Sequence, residues 1–83
     1  MESNNKENID KKILKIAQII FKKKKIDIKS TINNIQEWDS LNHLRLMIDL
    51  QKKFKIKFEL NEIININTLK KWSKLIQKKL KIK

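Results

Sequence analysis

Residues 37–54 of this 83-residue chain read EWDSLNHLRLMIDLQKKF, and the way this stretch divides its apolar residues decides the fold. Asp39-Ser40 is a helix-starting pair, because a short oxygen-bearing side chain satisfies backbone amides that a helix leaves open in its first turn. At about 100° per residue, Leu46, Met47, Leu50 and Phe54 project to one side of the helix that follows. Leu41, Leu44 and Ile48 project to the opposite side, among Arg45 and Lys52. A domain of this size cannot bury both sides. One face therefore belongs to the core, and the other reads as a docking surface ringed by charge.

Working towards the N-terminus, Ile9, Ile13, Ile16, Ala17 and Ile20 recur at helical spacing. They predict a helix over Glu7 to Lys23, with Leu14 and Phe21 on its flank. From Lys24 to Asp39 the period is lost, yet Ile26, Ile28, Ile32, Ile35 and Trp38 keep the segment apolar. A connection this long that retains its hydrophobics is expected to lie pinned across the core, and such loops usually carry function. Towards the C-terminus, the alternation Phe54 to Phe58 is too isolated to form a strand with a partner. Glu59 to Asn65 reads as a short helical turn carrying Leu60, Ile63 and Ile64. Asn67-Thr68 then caps a last helix whose stripe is Leu69, Trp72, Ile76 and Leu80. The expected fold class is all-α, three main helices plus one short helix, with the long loop between the first and second. Residues 1–6 are expected to form a disordered tail, and 7–83 a single domain.

Composition removes whole classes of chemistry. The chain has no glycine, proline or cysteine. Without cysteine there is no disulfide frame and no thiolate metal site, and without glycine no phosphate-cradling loop. A single histidine and scattered carboxylates make no metal-ligand set. No apolar run exceeds three residues, so neither a signal peptide nor a membrane span is read, and a cytoplasmic location is expected. Ser40 and His43 lie three apart, but no orienting acid, oxyanion hole or cleft accompanies them, so the chain does not read as an enzyme. His43 is expected on the helix surface beside Ser40. Trp38 and Trp72 are expected in the core rather than as stacking platforms for bases.

The net charge is +12. That is the electrostatic footprint of a polyanion binder, and a small basic helical nucleic-acid-binding protein is the alternative reading. Every cation but Arg45 is lysine, however, whereas base-edge recognition leans on arginine. Isoleucine, lysine and asparagine together are also what A+T-rich codons supply. The run Lys22 to Lys25 falls where a helix should end, and cations there favour the helix dipole.

The residues Glu37-Trp38-Asp39-Ser40-Leu41, followed by a helix ending in Phe54, resemble the carrier-protein family of acyl carrier proteins and their peptidyl carrier relatives. The family signature is Asp-Ser-Leu at the start of the second helix, after a long first loop. Leu46, Met47, Leu50 and Phe54 fall where such carriers keep core residues. Ile56, Phe58, Ile63, Ile66, Thr68 and Leu69 match the family's way into its third and fourth helices. The resemblance spans about Glu7 to Leu80. It implies an acyl-carrier-like four-helix bundle in which Ser40 bears a 4'-phosphopantetheine arm taken from coenzyme A, with Asp39 and Leu41 as its recognition flank. It further implies that the arm holds an acyl or aminoacyl group as a thioester, and that Leu44 and Ile48 face the partner enzymes. Those partners are a phosphopantetheinyl transferase, a loading ligase and downstream acyl-transfer enzymes. Carriers of primary fatty acid synthesis present acidic residues on this helix, whereas here the face shows Asn42, Arg45, Gln51 and Lys52. Trp38 before Asp-Ser-Leu is similar to discrete carriers served by dedicated ligases. The expectation is a monomeric carrier of a specialised pathway, with Arg45 and Lys52 selecting acidic docking patches, and with no metal and no obligate nucleic acid.

Overall fold

The computed structural model describes residues 6–81, and they form four helices in the expected order. These are α1 (Lys6–Phe21), α2 (Ser40–Phe54), α3 (Leu60–Ile63) and α4 (Leu69–Lys79). No strand occurs among the described residues, only an isolated antiparallel bridge between Thr31 and Thr68. The tail read over residues 1–6 lies outside the described residues except for Lys6, which already belongs to α1.

Helix α1 packs against both α2 and α4. Its fully buried line is Ile9, Ile13, Ala17 and Phe21, so the stripe is centred one step round from the sequence reading. Ile16 and Ile20 are half-buried at its edge, and Phe21, assigned to the flank, is a core residue. The helix also stops at Phe21 rather than Lys23. Lys22 turns into the left-handed region at φ 56°, and the Lys23 amide donates back to the Gln18 carbonyl at 3.1 Å. The Gln18 side chain then donates to the Lys24 carbonyl at 3.1 Å, closing the end. Apolar periodicity carries no trace of this, because the terminating residues are all lysines with good helix propensity.

Helix α2 begins and ends where its sequence reading put it. Asp39 is the N-cap, its carboxylate accepting from the Asn42 amide at 2.9 Å. Leu46, Leu50 and Phe54 are buried and Met47 is half-buried, while Leu41, Leu44 and Ile48 stay exposed. Thr68 caps α4 by accepting from the Lys71 amide at 3.1 Å. Glu62 in α3 accepts from the Glu59 amide at 2.7 Å and pairs with Lys79 at 2.9 Å. The Glu59 amide first, and Lys79 after it, hold the Glu62 carboxyl below its ordinary range.

The long loop is pinned, as its hydrophobics require. Ile35 and Trp38 are buried in the common core, and Ile26 and Ile28 pack against it. Its middle is stitched to the segment entering α4, where the Ile32 amide donates to the Asn67 carbonyl at 2.8 Å and the Leu69 amide to the Ser30 carbonyl at 3.1 Å. Both indoles are buried, so neither Trp38 nor Trp72 is available to stack on a base. No helix among the described residues is long and apolar enough to cross a membrane.

Candidate functional site

Ser40 is exposed at the first position of α2. Its hydroxyl makes no hydrogen bond among the described residues, and neither its own amide nor that of Leu41 has an internal partner. The Asp39 carboxylate is already engaged by Asn42. What remains at this corner is one free hydroxyl among open N–H groups at the positive end of a four-turn helix, a setting that favours an anion attached there.

Two side chains from the first turn of α2 reach back to hold the preceding loop. Asn42 Nδ2 donates to the Glu37 carbonyl at 2.8 Å. Trp38 Nε1 donates to His43 Nδ1 at 2.9 Å. On its other side the imidazole meets the Ile63 carbonyl through Nε2, also at 2.9 Å. Nδ1 accepts and Nε2 donates, which fixes one neutral tautomer. His43 is thus half-buried, not the surface residue its place beside Ser40 suggested. Its ring lies 6.0 Å from Trp38 and 5.2 Å from Trp72, within a run of aromatic contacts from Phe21 to Phe58. One side chain therefore fastens α2 to the long loop and to α3.

Beside Ser40 opens a pocket of about 350 Å³ between α2, α3 and the long loop. Its walls include Ile32, Leu44, Leu60, Ile64 and Ile66, with Asp39, Ser40 and His43 supplying the polar edge. Leu60 and Ile64 are 70% and 75% exposed, far more than a helix in a packed core leaves open. Their part in this wall was not foreseen from the sequence, although their spacing of four, with the buried Ile63 on the other side, was a usable signal. Asp39, Ser40 and Leu44 come together here. Leu41 stands exposed next to Ser40 but outside the pocket lining, and Arg45, Ile48 and Lys52 lie further along the exposed side of α2.

No protein-family model and no curated protein matches the sequence. Among solved structures, the chain is similar to a candidate acyl carrier protein from Mycobacterium tuberculosis, with a TM-score of 0.72 at 19% identity. The match covers 89% of this chain and 96% of that one. At this identity the shared feature is the fold, a four-helix arrangement in the manner of acyl carrier proteins.

Proposed function

We propose that this chain is an acyl or aminoacyl carrier protein, modified at Ser40 with 4'-phosphopantetheine. One observation carries the reading. In a fold like that of a candidate acyl carrier protein, an exposed serine with an unbonded hydroxyl begins α2 at the rim of an apolar pocket. Bound, the arm would supply a terminal thiol on which the cargo is held as a thioester.

The chain's own residues do the rest. Ser40 Oγ would attack the β-phosphorus of coenzyme A, forming a serine phosphodiester as the pyrophosphate bond breaks. The leaving group is adenosine 3',5'-bisphosphate, and the serine proton passes to the transferase. Because the transferase provides metal and base, this chain needs no catalytic constellation and is read as a carrier rather than an enzyme. The open amides of Ser40 and Leu41 would hold the phosphodiester, and the walls at Leu44, Leu60 and Ile64 would shelter apolar parts of a tethered group. Tethering raises the local concentration of cargo at each partner enzyme. Those partners dock on Leu44 and Ile48, with Arg45 and Lys52 favouring acidic patches, which suits a specialised pathway better than the primary fatty-acid one.

The test is intact mass after incubation with coenzyme A, magnesium and a promiscuous phosphopantetheinyl transferase. The wild type gains one phosphopantetheine, whereas Ser40→Ala gains none and keeps its stability within about 0.5 kcal/mol, as an exposed position should. A folded wild type that takes no increment would overturn the reading.

A further inference from the structure

A second pocket of about 350 Å³, sharing no residue with the one at Ser40, lies where the last turn of α1 meets α2. Its apolar part is Ile19, Ile20 and Ile48, and Lys22, Arg45 and Asp49 stand around it. Ile19 is 72% exposed and Ile48 43%, so two isoleucines from different helices flank an opening that no described residue covers.

The charges around it are not arranged at random. Asp10 is engaged by Ser73, Asp27 by the Lys29 amide, Glu37 by Lys23, Asp39 by the Asn42 amide and Glu62 by Lys79. Glu59 stands in the capping box of α3. Asp49 has no internal partner among the described residues, and it stands at this pocket. Lys22 and Arg45 are likewise exposed and form no ion pair among the described residues. Arg45, the single arginine in a chain of lysines, is at the pocket edge. Guanidinium pairs with carboxylate through two parallel hydrogen bonds in a way that an ammonium cannot.

We infer that this slot docks an acidic segment of a partner protein, which places one apolar side chain between Ile19 and Ile48 and a carboxylate on Arg45 and Lys22. Charge complementarity selects this occupant. A second copy of the chain would bring another +12 to the contact. A nucleic-acid backbone has no aliphatic group to fill the slot and would lay phosphates against Asp49, and an anionic lipid surface meets the same carboxylate. A protein segment satisfies all three features, because it can set a donor opposite Asp49. The inference deepens the docking part of the proposed function and is independent of its attachment part.

The test uses the full chain, isotopically labelled, titrated with a synthetic amphipathic helix of about four turns, leucine on one face and glutamate elsewhere. Amide shifts are expected to concentrate at Ile19, Lys22, Arg45, Ile48 and Asp49. Arg45→Glu and Ile19→Ser, both at exposed positions, should each weaken binding about tenfold, while Ser40→Ala binds as wild type. A matching peptide with serine for leucine, single-stranded oligothymidylate and phosphatidylglycerol vesicles serve as comparators. Scattered shifts, equal affinity for the leucine-free peptide, or tighter binding of the oligonucleotide or vesicles at these residues would overturn the inference. Because loading at Ser40 is read separately by mass, failure here leaves the attachment reading standing, and failure there leaves this one.

Discussion

His43 ties the first turn of α2, which begins at Ser40, to the long loop and to α3. It accepts from the Trp38 indole and donates to the Ile63 carbonyl, so its loss strands a donor on the long loop and an acceptor in α3, both on buried residues. Each orphaned group costs about 1–3 kcal/mol. His43→Phe, which keeps an aromatic ring, should therefore lower stability by at least about 2 kcal/mol in urea unfolding, and a loss under about 0.5 kcal/mol would show that the lock carries no energy. Sequence reading placed the start of α2 readily, because Asp39-Ser40 is a local capping signal. It misplaced His43 because the decisive acceptor lies twenty residues away, and no helical pattern encodes a carbonyl that only the fold brings near.

Among the elements, α2 and α4 were legible at the starts, where caps are written in side chains, at Asp39 and Thr68. Their partner α1 was legible at its start, within one residue, and along its middle, but not at its end. Without glycine, the left-handed turns that follow α1, α2 and α4 fall on residues that resist that region, and Lys22, Lys55 and Lys81 take φ of 56°, 56° and 59° there. Lys55 closes α2 with its amide on the Gln51 carbonyl. A residue with a Cβ pays about 1–2 kcal/mol for that conformation. Lys55→Gly should therefore stabilise the domain by about 1 kcal/mol, raising Tm by roughly 5 °C. An unchanged or lower Tm would mean that the left-handed turn carries no such cost. The loop was legible as pinned from its isoleucines, but its stitching at Thr31 and Thr68 was not, since backbone pairing between irregular segments leaves no periodic mark.

For the whole molecule, the dominant quantity is a charge of +12 with internal ion pairs at Lys23–Glu37 and Lys79–Glu62 among the described residues. Most of the lysines face solvent and repel one another, and salt screens that repulsion over a Debye length of about 10 Å at 0.1 M. Raising sodium chloride from about 10 mM to about 300 mM should lift Tm by about 5 °C, and a Tm independent of salt would show that the charges are too dispersed to strain the fold. The total charge is plain in the sequence. Its sorting, with Asp10, Asp27, Asp39, Glu37 and Glu62 drawn into hydrogen bonds and ion pairs and most cations left outside, emerges only in the fold.

The central claim is attachment at Ser40. Its most direct test is fragmentation of the segment Ser30–Arg45, released by trypsin from protein treated with the transferase and coenzyme A, because that segment holds three hydroxyls, on Ser30, Thr31 and Ser40. The account predicts the phosphopantetheine increment on Ser40 alone. An increment on Ser30 or Thr31, or none on a folded chain, would contradict it.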